Sequence, residues 1–178
     1  MAKIGLQYPV YKGETKSGVI AKAIQADISI TVNNVPLYAD DALAENDRSF
    51  QNGTLTLGID DLKDEIQAEF LGHEIDEETG EITANKNDVS PYVGVGFFGT
   101  KKVNNIPKYR AVWLPKIQFG EPNDTNQTKG ETVTWNTPVL EGAIMTDDAG
   151  DWKKEQTFDT IAEAKAYLDA KREAVPEA

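Results

Sequence analysis

The chain of 178 residues contains no cysteine and a single histidine, His73. The first absence excludes disulfides, thiolate metal sites, CxxC redox chemistry and cysteine nucleophiles. The second leaves any catalytic triad or imidazole metal site dependent on one residue. Long apolar runs are also missing, and the mean hydropathy is −0.48, so no segment reads as a membrane-spanning helix. Met1 to Gly5 is not followed by a long apolar segment, and no secretory leader is expected. Positive charge is scarce: 18 Lys and Arg stand against 30 Asp and Glu, a net charge of −12. That balance disfavours tight binding to nucleic-acid phosphates, which draws its affinity from Lys and Arg.

What is present is a succession of strands. Gln25 to Asn33 alternates with period two, placing Ala26, Ile28, Ile30 and Val32 on one side and Asp27, Ser29 and Thr31 on the other. Thr54 to Ile59 alternates likewise. Tyr92 to Thr100, Tyr109 to Leu114, Ile117 to Gly120, Thr132 to Trp135 and Val139 to Thr146 also read as strands. Asp147-Asp148-Ala149-Gly150 has the composition of a hairpin turn, and Glu74 to Thr83 that of a small hairpin around Thr79-Gly80.

Two helices are predicted. Asp61 is placed to cap the first, Leu62 to Leu71, with Leu62, Ile66 and Phe70 on one face and Gly72 as its stop. The second opens on Thr160 with Glu163 three residues later, the spacing of a capping box. Its apolar stripe is Ile161, Ala164 and Leu168, it runs over about 160–174, and Val175-Pro176 lies past its end. The expected architecture is a single mainly β (α+β) domain over 1–178. It has two packed antiparallel sheets, a sandwich or barrel, with one flanking helix and a C-terminal helix.

Three stretches resist this patterning: about 1–18, about 34–52, and the polar run Glu121 to Glu131. Long irregular segments are commonly functional. The first carries Tyr8 and Tyr11. The second carries Tyr38, Leu43 and Phe50 among the acids Asp40, Asp41, Glu45 and Asp47. Linkers lack such aromatics, so both stretches read as partner-binding arms.

Individual motifs argue against chemistry. Gly94-Val95-Gly96-Phe97-Phe98-Gly99 matches the dinucleotide fingerprint in letters, but the following Asn104, Asn105 and Pro107 cannot open the helix that the fingerprint requires. Glycines inside a strand mark a bulge or a close backbone approach instead. None of the acidic clusters has calcium-loop spacing; those at Asp60 to Glu65, Asp76 to Glu78 and Asp147 to Asp151 suit helix caps and turns. A carboxylate pair for glycoside hydrolysis would be available by chance among 30 acids. His73 follows a helix stop, where a cation suits the helix dipole. Lys101, Lys102, Lys108, Arg110 and Lys116 form a basic cluster whose charge complements the acidic segments of a neighbouring copy.

The stretch Tyr38 to Glu45, Phe50, and Gly53-Thr54-Leu55-Thr56-Leu57-Gly58-Ile59-Asp60-Asp61-Leu62 resembles the major tail protein family of long-tailed, non-contractile phages. The resemblance continues through Leu71-Gly72-His73, the Gly94 to Gly99 strand, Thr132 to Gly142, and Phe158-Asp159-Thr160 with its Ala-rich helix. It implies a tail tube subunit. Six copies would form a ring, and stacked rings would form a hollow tube whose partners are tail tip, tail terminator and tape-measure proteins. Phage DNA would pass through the lumen without specific binding, in the virion of a siphovirus. The resemblance also implies that the arm at about 1–18 and the loop at about 34–52 contact neighbouring subunits. The contact candidates are Tyr8, Tyr11, Tyr38, Asp40, Asp41, Leu43, Glu45, Asp47 and Phe50, with no cofactor, no metal and no enzymatic reaction. A ring of six would carry 6 × −12 = −72 formal charges. Two further readings follow from the residues alone. A β-sandwich module for carbohydrate or another ligand would use Trp113, Trp135 and Trp152 as stacking platforms. A hydrolase would use paired carboxylates.

Overall fold

The computed structural model describes residues 3–39, 42–76, 78–122 and 137–173. Its elements in chain order are β1 (Lys3–Lys12), β2 (Ser17–Val19), β3 (Ala23–Val32), β4 (Val35–Ala39), β5 (Ala42–Asp47), β6 (Phe50–Ile59), α1 (Asp64–Leu71), β7 (Glu74–Ile75), β8 (Ile82–Thr83), β9 (Tyr92–Val103), β10 (Ile106–Phe119), β11 (Val139–Met145), β12 (Lys154–Phe158) and α2 (Ile161–Glu173). The fold is mainly β with two helices. Thr132–Trp135, most of the polar run after Glu121, and Val175-Pro176 lie outside the described residues.

The principal element is an eight-stranded antiparallel sheet in the order β2-β1-β9-β10-β11-β6-β3, with β12 also pairing β10. The expected two layers are the two halves of this one sheet. Leu55, Leu57 and Ile59 from β6 share a single buried cluster with Val93 and Val95 from β9 and Leu114 and Ile117 from β10. The sheet therefore curls until β1 approaches β3 across the core, without a ladder forming between them.

β10 makes the curl possible. Its residues Tyr109–Trp113 pair with β12 and its residues Lys116–Phe119 pair with β11, on the same flank. The change of partner falls at Pro115, inside the register break between Leu114 and Ile117, where a residue without an N–H interrupts the ladder at least cost. The two strands expected over 109–120 are thus one irregular strand. The turn at Asp147 to Gly150 forms, with Asp147 accepting from the Ala149 and Asp151 amides. It does not close a hairpin, because β11 and β12 lie end to end along β10 rather than against each other.

The helices cover opposite faces. α1 packs into the curl: Phe70 is fully buried, stacked on Phe119 at 4.8 Å and met edge-on by Tyr11 at 5.2 Å. α1 begins later than predicted and Asp61 does not cap it; the N-cap is Lys63, with no side-chain cap. The neighbouring Asp60 instead accepts the Lys22 amide at 2.9 Å, tying the end of β6 to the start of β3. Gly72 ends the helix at φ +73°, a conformation that glycine adopts without steric cost. α2 packs on the outer face, where Ala164 and Leu168 are buried against Val10, Phe98, Ala111 and Trp113. The Thr160–Glu163 capping box is formed, each side chain reaching the other's backbone amide. Ile161, expected in the stripe, is 38% exposed, and Tyr167 packs on Phe158 in its place.

β9 is buried on both faces between α1 and α2, which is why it runs as Val-Gly-Val-Gly-Phe-Phe. Its glycines serve a close approach. A Cβ on Gly96 would lie 2.6 Å from the Trp113 ring and 2.8 Å from Leu168, and one on Gly94 would lie 2.6 Å from the same ring. The fingerprint-like spacing is therefore a seat for Trp113, not a phosphate loop.

Two irregular segments prove to be ordered strands. The stretch expected to be an arm at about 1–18 supplies β1 and β2, with Val10 fully buried and Tyr11 6% exposed. The turn between them is latched by Glu69 of α1, whose carboxylate accepts from the Thr15 amide (3.0 Å), the Thr15 hydroxyl (2.8 Å) and the Lys16 amide (3.2 Å). Partial burial works against this carboxylate, but the Thr15 and Lys16 hydrogen bonds outweigh it and hold its pKa below the ordinary range. The stretch expected to be a loop at about 34–52 supplies the β4–β5 hairpin and the start of β6.

Candidate assembly surfaces

A sheet that curls without closing leaves two borders. On one side, β1 pairs with β9 and is covered by β2 only at Val10 to Lys12. Its remaining border carries two extra-residue bulges, between Ile4 and Leu6 and between Gln7 and Val10. Gly5 (φ +71°) and Tyr8 (φ +56°) sit at these bulges, and Pro9 lacks an N–H. Bulges and proline are the usual devices that stop an edge from recruiting another strand.

The other border is β3, which pairs only with β6 among the described residues. From Gln25 to Thr31 its register is unbroken, and it contains no proline, lysine or glycine. Ala26, Ile28 and Ile30 point inward but are only half-buried, and Ile24 is 54% exposed. The regular stretch carries a single charge, Asp27, and an unpaired regular edge of this kind is a template for strand addition.

Between the two borders lies a cleft of about 650 Å3. Leu6, Ile24, Ile28 and Ile30 form its walls, and Phe97 and Val112 its floor. Its outer end is polar. Arg110 donates to both oxygens of Glu155, and Lys153 lies 3.6 Å from the same carboxylate. Partial burial disfavours the Glu155 anion, but Arg110 and Lys153 prevail and lower its pKa. An Arg–carboxylate fork of this kind is a structural brace for the sheet end.

The contact candidates distribute unevenly over this frame. Tyr11 is buried in its own core beside Phe70, and burial followed by the nearby Glu69 charge raises its pKa. It is therefore occupied within the chain rather than offered to a neighbour. Tyr8 is half-covered. Its hydroxyl donates to Asp169 at 2.9 Å and Lys165 sits over its ring, so burial and then the Asp169 hydrogen bond raise its pKa. It pins the second bulge of β1 to α2, which explains a left-handed backbone at a non-glycine residue. Phe50 stacks on Trp152 at 4.9 Å where β6 leaves the hairpin. Tyr38 lies on β4, and Leu43, Glu45 and Asp47 on β5; Asp40 and Asp41 lie outside the described residues. The β4–β5 hairpin pairs only with itself among the described residues.

The remaining candidates are also placed. His73, with a side chain 5% exposed, donates from Nε2 to Glu121 at 2.7 Å, 4.0 Å from Asp88. Its Nδ1 is buried without a partner. Lys108 pairs with Asp159, and Lys116 lies over the Tyr92 ring. Among the described residues no group of three His, Asp or Glu side chains could hold a metal ion. No described helix is long and apolar enough to cross a membrane. The open β3 border was missed at the sequence level. Its alternation was legible, but which strand ends a sheet is decided by long-range pairing. A scan against protein-family models and a search of curated proteins returned no match.

Proposed function

We propose that this chain is a structural subunit that polymerises with copies of itself, the tail tube subunit of a long-tailed, non-contractile phage. The carrying observation is the open β3 edge, regular from Gln25 to Thr31, facing a half-filled apolar cleft. In an isolated domain such an edge is a hazard, whereas in a closed ring of copies it is consumed. The two borders differ, β1 bulged along its middle and β3 regular from Gln25 to Thr31 with breaks only at its ends, so their joining is head-to-tail, and head-to-tail joining closes into rings when the rotation permits. The sequence resemblance supplies the number six, the stacking of rings, and the tail tip, tail terminator and tape-measure partners. A wall bearing −12 per subunit repels phosphates over a Debye length of about 8 Å, which suits passage of DNA without adhesion.

The role requires no reaction. The carbohydrate-module alternative draws little from the described tryptophans: Trp113 is 5% exposed under α2, and Trp152 is stacked on Phe50. Trp135 lies outside the described residues. Electron micrographs of the concentrated protein, alone and with its tail partners, are expected to contain hollow cylinders of stacked rings. A lasting monomer under all those conditions contradicts the proposal.

A further inference from the structure

Charge is distributed unevenly on the two sides of β9. Residues 60–91, which precede it, hold eleven Asp and Glu against Lys63 and Lys86, so they carry 2 − 11 = −9 of the net −12. Tyr92 to Thr100 has no charged residue. Residues 101–110 then carry Lys101, Lys102, Lys108 and Arg110 and no acid. The fold turns this order along the chain into a separation in space. β9 and β10 form one long hairpin, paired from Ile106↔Val103 to Gln118↔Tyr92. The 12 residues of β9 span about 37 Å at roughly 3.4 Å per residue. At the open end of this hairpin, a Cβ on Gly72 would lie 2.4 Å from the Val89 carbonyl oxygen, and His73 bonds to Glu121 just past β10. These contacts hold the end of α1, and the β7–β8 hairpin that follows it, beside the start of β9. Glu74, Glu78 and Glu81 of that small hairpin are exposed, and so is Val89, at 75%.

The closed end is a stiff prong. Its turn is Asn104-Asn105, at φ +51° and +64°. Two successive left-handed residues are the mark of a two-residue type I′ turn, whose twist matches that of the strands it joins. Pairing with β1 stops at Lys101 and pairing with β12 stops at Tyr109. Lys102 to Lys108 therefore project with no strand on either flank among the described residues. Pro107 offers no N–H to an added strand, so the tip is not built for edge pairing. Val103 faces Ile106 across the ladder, and Ile106 is 58% exposed. Lys108 is paired with Asp159 and Arg110 with Glu155, which leaves Lys101 and Lys102 as the charges that the tip presents. Each end of the hairpin thus combines an exposed aliphatic side chain with charge of one sign, and the signs are opposite.

We infer that the β9–β10 tip of one copy seats against the acidic end, the β7–β8 hairpin with Val89, of a copy in the adjoining ring. The two surfaces lie at opposite ends of a single hairpin. Translation by about its length brings them together, and the contact repeats without closing. The inference rests on the self-assembly reading and names an axial contact separate from the β3 border. Charge sign sets the direction of stacking. A tip-to-acid approach places Lys101 and Lys102 against Glu78 and Glu81, whereas an acid-to-acid approach places −9 against −9, and like-charge juxtaposition of that kind suppresses the inverted arrangement. A tube built in this way has one polarity. A nucleic-acid phosphate backbone would also suit a basic tip, but the overall charge of the chain opposes it.

The test is a charge exchange on the full chain, read by electron microscopy and sedimentation velocity in about 50 mM salt, where the Debye length is longer than in physiological buffer. Lys101→Glu with Lys102→Glu is expected to raise the concentration needed for tubes roughly tenfold and to leave single rings, because the β3 border is untouched. Its thermal midpoint should stay at the parent's value, since the tip projects from the sheet. Glu78→Lys with Glu81→Lys is expected to behave in the same way. The four substitutions combined are expected to return tube formation to within about threefold of the starting protein. Normal tubes from either double variant, or losses that simply add in the combined variant, overturn the inference. Loss of rings together with tubes in a folded variant also overturns it, because the tip would then belong to the lateral joint. Loss of binding to a DNA duplex with unchanged tubes overturns it in favour of a phosphate site. An unsubstituted chain that never associates defeats the self-assembly reading and this inference with it, a result distinct from all of these.

Discussion

Replacing Ile28 by lysine is expected to abolish assembly while the chain remains folded. Ile28 sits at the middle of the open β3 edge, half-buried and facing the cleft. In the free subunit a lysine there extends its stem along the cleft wall and keeps its ammonium in water, so the fold loses little. Once a neighbouring strand covers the edge, that ammonium is enclosed without a partner. An unpaired buried charge costs about 3–5 kcal/mol, and about 1.4 kcal/mol is a factor of ten. The critical concentration for assembly should therefore rise at least about a hundredfold. An inward-pointing lysine is also the guard that natural edge strands use against pairing. The control is Ile28→Val, which keeps the edge apolar and should assemble like the parent. Tubes formed by Ile28→Lys at the parent's concentration would remove β3 from the joint.

Replacing Phe70 by alanine is expected to be the most damaging single change to the fold, costing about 3–5 kcal/mol. The ring is fully buried between Phe119 and Tyr11, and it belongs to a helix of only eight residues. A helix so short has little stability of its own and is held by its packed face. Loosening it also disturbs Glu69, which latches the β1–β2 turn through Thr15 and Lys16. The loss is a large part of the 5–15 kcal/mol by which domains are usually stable. Urea unfolding followed by circular dichroism should show the midpoint falling accordingly. Phe50→Ala, at a half-buried ring on the opposite side of the core, should cost less than half as much. Equal losses at the two positions would contradict the placement of α1 inside the curl.

Strands whose alternation is uninterrupted, such as β3 and β6, could be read directly from residue order, because a half-buried face imposes period two. β1 could not. Each of its bulges, at Gly5 and at Tyr8-Pro9, inserts a residue and transfers the following side chains to the other face. A buried strand therefore read as an irregular arm, and Tyr11 read as a docking residue although it fills the core. The β4–β5 hairpin was illegible for a different reason: it pairs only with itself among the described residues, so no sheet face imposes an alternating pattern on it. The partner exchange at Pro115 and the end-to-end placement of β11 and β12 are properties of the sheet, invisible to local patterning.

The same distinction governs the assembly surfaces. The basic cluster was visible as composition, but the structure divides it. Arg110 and Lys108 are paired with Glu155 and Asp159, whereas Lys116 lies over the Tyr92 ring. The capping box at Thr160 and Glu163, by contrast, is a local motif and formed where residue order placed it.

The central claim is that copies of this chain join through the outer border of β3. Hydrogen exchange of the Gln25 to Thr31 amides, compared between dilute and concentrated protein, tests it most directly. Along an antiparallel edge every second amide points away from the sheet, and those amides exchange freely in a lone subunit. The account predicts that they become protected on assembly while their alternates, already bonded to β6, change little. Outward amides that exchange equally fast in free and assembled protein would contradict it.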